Sequence, residues 1–305
     1  MIFLNQLNED WIVDRFRSEW YEFNGSYSTT NIKDADTIWI IAPWTWQKIP
    51  KRFLKSKKVI CTIHHIDENK FKGKSKNSFY KRDKFVDEYH VISNKTYDQL
   101  RSLTSKKINV IPFWVNQNIW FEINDKNIIL EELNLQKNKF YIGSFQRDTE
   151  GSDLISPKLS KGPDKFLEIV EFYNSKNKDI EVILTGKRRQ FVINGLRSKN
   201  IKFSYFEMAS FDLINKLYNI LDLYVVSSRF EGGPQSIMEC ALTRTPLIST
   251  DVGIASEILS SKSLYSFSTI GEAVPDTDYA FEKVKRYLIP KGFKEFDKMF
   301  EKHES

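Results

Sequence analysis

Glu231-Gly-Gly-Pro-Gln-Ser-Ile-Met-Glu239 sets two carboxylates eight positions apart around a glycine turn that opens a helix. Directly upstream, Leu221-Asp-Leu-Tyr-Val-Val-Ser-Ser228 has the short, apolar, β-branched character of a strand buried in a parallel sheet. The helix therefore starts at the carboxyl end of a strand. Gly232 and Gly233 let the backbone approach a ligand, Pro234 suits the first helical position, and the first-turn N–H groups lack partners within the helix. Such donors suit a phosphate. The helix dipole contributes only about 0.3–1 kcal/mol, rising to ~2 kcal/mol when partly buried, so an anion here needs cationic side chains from elsewhere.

Outward from this stretch the chain alternates. Apolar segments at 2–4, 37–42, 58–64, 88–93 and 108–113 read as strands, with helical patterns near 10–23, 79–86 and 94–103. A second series has strands near 140–145, 180–185, 202–206, 221–227 and 246–249, and helices near 162–174, 210–219, 234–242 and 254–260. This order predicts an α/β chain of two Rossmann-like domains facing a cleft, which becomes the candidate active site. The expected boundaries are 1–122 for the first domain and 123–285 for the second, with the polar stretch 124–139 as hinge. A C-terminal helix over 286–305, interrupted at Pro290, is expected to pack across the domains.

Bulk composition bounds the function. A 305-residue chain with 41% hydrophobic and 28% charged residues is an ordinary globular composition, long enough for two cores. Cys61 and Cys240 are too few and too far apart for a disulfide framework or a metal site, which fits a reducing cytoplasm. The opening Met1-Ile-Phe-Leu-Asn-Gln-Leu-Asn-Glu-Asp has neither a basic leader nor a long apolar run, so membrane contact is expected to be peripheral. Charge is uneven: residues 48–107 carry 17 Lys/Arg against 6 Asp/Glu, an excess of +11 that leaves −5 for the remainder of a chain whose net charge is +6. Such a segment suits nucleic acid, an anionic bilayer or a diphosphate-bearing acceptor, and equally a merely solvated lysine face. Trp44 and Trp46, followed by lysines, read either as an amphipathic contact for a lipid-linked acceptor or as domain core.

Several further segments appear in a familiar order. Tyr141-Ile-Gly-Ser-Phe-Gln-Arg147 is followed by Lys158-Leu-Ser-Lys-Gly-Pro-Asp164, and the run from Ser227 through Glu231 and Glu239 ends in Asp251-Val-Gly253. In the first half stand Val59-Ile-Cys-Thr-Ile-His64 and Val110-Ile-Pro-Phe-Trp-Val115. Together these resemble the glycosyltransferases of the GT-B fold, and in particular family 4 of the retaining enzymes, most strongly over 140–259.

That resemblance implies roles. Glu239 would accept hydrogen bonds from the donor ribose and Glu231 from the donor sugar, tasks for ionised carboxylates. Arg147 and Lys161 would neutralise the donor diphosphate, with Lys158 a competitor for the same task. Gly232, Gly233, Pro234, Gln235 and Ser236 would line the donor, Met208 would lie beside its base, and His64 would reach the reacting sugar. The chain also departs from the family. Ser144, not arginine, follows Gly143, an insertion at 148–157 separates Arg147 from the lysine segment, and Asn5-Gln-Leu-Asn8 replaces the glycine-rich first loop.

The resulting expectation is a retaining transferase that moves a sugar from a nucleoside-diphosphate sugar to a hydroxyl of a glycan or lipid-linked acceptor. The nucleotide sugar is a co-substrate, and no other cofactor and no metal are expected. His64 and His65 are adjacent, a poor metal spacing, while Asp34-Ala-Asp36 and Asp276-Thr-Asp278 precede a strand and a helix, where aspartates serve turns and caps. Residues 48–107 are expected to touch an anionic membrane at its cytoplasmic face, with no nucleic-acid partner. Two other readings stay open: a sugar-nucleotide epimerase or phosphorylase on a similar plan, and a non-catalytic basic protein that binds nucleic acid.

Overall fold

The structure, a computed structural model, describes residues 1–6, 12–151, 153–176 and 179–301. Leu7 and Asn8 of the opening loop, the start of the helix expected from position 10, and His303 lie outside them. The strands are β1 (Ile2–Leu4), β2 (Thr37–Ile40), β3 (Lys58–Ile63), β4 (Glu88–Val91), β5 (Lys107–Val110), β6 (Phe140–Ser144), β7 (Ile180–Thr185), β8 (Phe203–Phe206), β9 (Leu223–Val226), β10 (Leu247–Thr250) and β11 (Leu264–Tyr265). The α-helices are α1 (Ile12–Asn24), α2 (Lys51–Ser56), α3 (Gly73–Asp83), α4 (Asn94–Leu100), α5 (Lys126–Glu132), α6 (Pro163–Ser175), α7 (Gln190–Ser198), α8 (Phe211–Ile220), α9 (Gln235–Leu242), α10 (Ala255–Ile258), α11 (Thr277–Val284) and α12 (Lys294–Glu301). Two compact units result, Met1–Phe113 with Phe293–Ser305, and Trp114–Gly292. Both are Rossmann-like parallel-sheet α/β units.

The first unit holds a five-stranded parallel sheet in sequential order, β1 to β5. Strand alternation sorts its side chains to two faces. Ile38, Ile40, Val59, Cys61, Tyr89 and Val91 enter a core with Phe79 of α3 and Leu100 of α4. The intervening Trp39, Thr62 and His90 form a polar chain on the other face. Trp39 Nε1 donates to Thr62 Oγ1 at 2.8 Å, and Thr62 Oγ1 meets His90 Nδ1 at 2.9 Å. Burial pushes His90 down to about 3, so the ring is neutral. Trp20 of α1 and Phe296 of α12 cover this face, with ring centroids 5.2 Å and 5.4 Å from Trp39. Trp46 is buried in the core and Trp44 is exposed.

The first break falls after Phe113 because Trp114–Trp120 packs with the second unit. Val115 N donates to Tyr287 O at 2.9 Å, and Val115 and Trp120 share a core with Ile129, Leu130 and Tyr218. The C-terminal segment, expected as a helix from 286, runs instead through a 3-10 turn at Lys285–Tyr287 and becomes α-helical only at Lys294. Pro290 has no N–H to offer, and a β-carbon at Gly292 would lie 2.5 Å from the Tyr287 carbonyl oxygen. Beyond the interruption, Phe296, Met299 and Phe300 recur at helical spacing, and Phe296 and Met299 are buried.

In the second unit the six parallel strands run β11-β10-β9-β6-β7-β8. The order reverses at β6, with β7 and β8 on one side and β9 to β11 on the other. A crevice outside the carboxyl ends of β6 and β9 is therefore the expected ligand position of this sheet. Val182, Leu184, Val225 and Ile248 form the core on one face and Ile183, Tyr224 and Val226 on the other. Among the described residues, no helix is long and apolar enough to cross a membrane.

Candidate active site

The loops after β6 and β9 meet at the reversal point, and the contacts between them are dense. Arg229 grips Asp164, at the start of α6, with NH1 to Oδ1 at 2.8 Å and NH2 to Oδ2 at 2.6 Å. This forked ion pair holds the Asp164 carboxyl below its ordinary range and raises Arg229. The Arg229 and Phe230 N–H groups donate to Ser160 O at 2.8 and 3.2 Å. Gln146 Nε2 donates to Lys161 O at 2.8 Å, and Ser228 Oγ donates to Gln146 Oε1 at 3.1 Å. Lys161 and Glu231 are brought together as an ion pair, Nζ to Oε1, with 19% and 11% of their side chains exposed. Ser228 Oγ lies 3.3 Å from the same carboxylate oxygen. The lysine segment and the Glu-Gly-Gly-Pro turn thus form one rigid polar edge.

Glycine is required at two places on this edge. At Gly162, φ is +62° and a β-carbon would sit 1.8 Å from Ser227 O; at Gly253, φ is +50° and a β-carbon would sit 2.1 Å from Gly232 O. The strained backbone alone would cost an alanine at 162 about 1–3 kcal/mol. Gly162→Ala is therefore expected to lower the unfolding midpoint in urea and to displace Lys161 from Glu231. An unchanged midpoint would refute the close approach.

Glu239, on the inner face of α9, is buried, and its Oε2 accepts the Tyr218 hydroxyl at 2.8 Å. Gln235 Nε2 donates to Trp114 O at 2.9 Å, and Ser236 hydrogen-bonds the side chain of Tyr224. Pro234, expected at the first helical position, stands one residue before it, since the helix begins at Gln235 and Pro234 keeps a non-helical ψ of 111°. The floor beneath is aromatic, with Phe145 4.9 Å from Tyr218 and 5.3 Å from Tyr224 between ring centroids.

The other expected residues lie on loops and strand ends of the two units, and Lys158 O accepts the Lys161 N–H at 2.8 Å. Arg147 is exposed, and its Nε donates to Thr149 O at 2.8 Å. Desolvation first, then the neighbouring Arg188, lowers its pKa. Lys158 anchors the loop through its own N–H, donated to Asp148 O at 2.8 Å. Met208 is exposed two residues beyond β8. His64 belongs to the first unit, at the carboxyl end of β3, with Nε2 2.8 Å from Ile41 O and its ring stacked 5.9 Å from Phe113. A separate depression of about 410 Å³, lined by Glu181, Arg197, Asn200, Ile201, Lys202 and Phe203, lies at the amino ends of β7 and β8, away from this edge.

Three contributors escape sequence reading. Tyr218 carries no motif. Arg188 has φ +64°, and its carbonyl accepts the Asp148 and Thr149 N–H groups at 3.1 and 3.3 Å. The basic run Lys187-Arg188-Arg189 just after a strand was its available signal. Arg189 is buried against Asp148 at 3.0 Å and ties the ends of β6 and β7 through Ser144 O and Thr185 O.

Residues 154–284 match the family of glycosyl transferases group 1. No curated protein sequence matches the chain. Among solved structures, HepE from Anabaena in complex with UDP and glucose is 11% identical, with a TM-score of 0.74 over 98% of each chain. Sucrose-phosphate synthase from Thermosynechococcus elongatus is 12% identical, with a TM-score of 0.69 over 97% of this chain and 80% of that one. A glycosyltransferase from Rickettsia africae is 15% identical, with a TM-score of 0.65 over 97% and 83%. The fold is that of the GT-B glycosyltransferases, and with the matched segment it supports a group 1 glycosyltransferase.

Proposed function

We propose that the chain is a retaining, family 4 type glycosyltransferase that takes a nucleoside-diphosphate sugar and glycosylates a hydroxyl of a glycan or glycolipid in cell-surface polysaccharide synthesis. The observation that carries this reading is the convergence of the Lys161–Glu231 pair and buried Glu239 at the point where the second sheet reverses. HepE, of the same fold, was solved with UDP-glucose, and TarM of S. aureus with UDP and α-GlcNAc-glycerol, which supports a nucleotide-sugar donor and a hydroxyl acceptor.

In this mechanism Glu239 receives the ribose hydroxyls, Glu231 the sugar hydroxyls, and the α9 N-terminus with Gly232 to Ser236 faces the diphosphate. Lys161 and Arg147, with Lys158 near, balance a charge that grows as the bond from C1 to the phosphate oxygen breaks. The acceptor oxygen bonds to C1 on the face the diphosphate leaves, and its proton passes to the departing phosphate oxygen. No protein base and no metal is required. Residues 48–107 rest on an anionic cytoplasmic membrane face, each nearby Lys or Arg adding about 1 kcal/mol.

A thermal-shift panel of UDP, GDP and ADP with their common sugars tests the donor site. A ligand at 100 times its Kd adds about 2.7 kcal/mol, enough to raise the transition by several degrees. Glu239→Ala should abolish the shift. If none of the panel stabilises the protein at millimolar concentration, the donor reading fails.

A further inference from the structure

We propose that Tyr218 is a positioning residue of the donor site, whose hydroxyl fixes the Glu239 carboxylate in the orientation that selects ribose over deoxyribose. The inference rests on the nucleotide reading above and names the residue on which its sugar selectivity depends.

Tyr218 lies in the last turn of α8 and is 2% exposed. Its ring is walled in by Phe145 at 4.9 Å, Tyr224 at 5.5 Å and Trp120 at 5.7 Å between centroids. The main chain is anchored independently of the phenol, since Tyr218 O accepts Thr245 Oγ1 at 2.9 Å and Leu221 N–H at 3.2 Å. What remains for the hydroxyl is its bond to Glu239 Oε2 at 2.8 Å. Burial, with Glu239 beside it, raises the phenol well above its ordinary range, so the group is a proton donor at every working pH. A carboxylate that must accept two vicinal hydroxyls discriminates only if its plane is fixed before the ligand arrives. Glu239 is buried on α9, and a donor on an aromatic ring held by α8 and packed on three sides fixes where its Oε2 lies.

Tyr218→Phe deletes one oxygen and keeps the packing. The affinities of UDP, GDP and ADP, and of dUDP, dGDP and dADP, are measured by calorimetry for the wild type, Tyr218→Phe, Glu239→Gln and the double variant. In Tyr218→Phe the ribose nucleotide that binds best is expected to weaken about tenfold and its deoxy counterpart little, so the ribose preference collapses. The double variant is expected to be no worse than Glu239→Gln, because the two side chains act as one unit. Equal weakening of both sugars would reveal a role in packing alone and overturn the proposal, as would an unchanged preference. A wild-type protein that binds no nucleotide, or ignores the ribose hydroxyl, removes the Glu239 reading first, and that outcome is visible before any variant is made.

Discussion

Asp148→Ala is expected to destabilise the second unit by about 3–5 kcal/mol, the cost of stripping a buried ion of its partner. Asp148 and Arg189 are each 1% exposed, with Nε to Oδ2 at 3.0 Å. Burial opposes ionisation of both groups, raising the pKa of Asp148 and lowering that of Arg189. Arginine cannot escape by losing its proton, so without Asp148 the guanidinium stays charged in the core with carbonyl oxygens alone. The carboxylate also accepts the Phe191 and Val192 N–H groups at 3.3 and 3.4 Å, capping α7. Urea unfolding of Asp148→Ala and of Asp148→Ala/Arg189→Met decides the matter. The double variant, with no orphaned charge, should recover most of the loss. A single variant within ~1 kcal/mol of wild type would contradict the buried pair. Because Asp148 follows Arg147 in the loop after β6, even a stably folded double variant should bind nucleotide more weakly.

The same residue marks how far the sequence could be read. Central strands such as β9 and β10 are buried along their whole length and mostly apolar, while the edge strands β5 and β8 are only partly buried, yet the positions of β1 to β10 were legible to within a few residues. Two helices of the second unit, α5 and α7, were not. The stretch 124–139 reads as a hinge, yet Asp125 caps α5 through the Asn127 and Ile128 N–H groups, and Ile129 and Leu130 are buried. In α7 the preceding Lys187-Arg188-Arg189 masks the apolar spacing of Val192, Ile193 and Leu196. Strand order is invisible in both sheets, since alternation fixes parallel pairing but not which neighbour a strand takes. At the site, the motif placed Glu231 at the end of a strand and Glu239 on a helix. It could not supply their partners: Lys161 lies 70 residues from Glu231, and Tyr218 lies 21 from Glu239. The first pair is set by the meeting of the loops after β6 and β9 and the second by α8 meeting α9, not by local propensity.

Lys161→Ala should carry the largest functional loss, about 10²–10³-fold in kcat/KM, the scale of removing one preorganised group that faces developing charge. Lys161 is held beside Glu231 by a loop that Gly162, Gln146 and Arg229 fix in place, so little reorganisation is needed when a diphosphate binds. Charge on the leaving diphosphate is greatest in the transition state, so the loss should appear mainly in kcat, with KM changing far less. Lys161→Arg, which keeps the charge but not the shape, should recover part of it. A contrasting account is that Lys161 only orients Glu231. Under that account Lys161→Ala, Glu231→Gln and the double variant would be equally impaired, because each breaks the same pair. If Lys161 also meets the diphosphate, the double variant must be slower than either single one. Steady-state rates for the four proteins with one donor separate the two accounts, and a rise in KM alone would remove Lys161 from the chemical step.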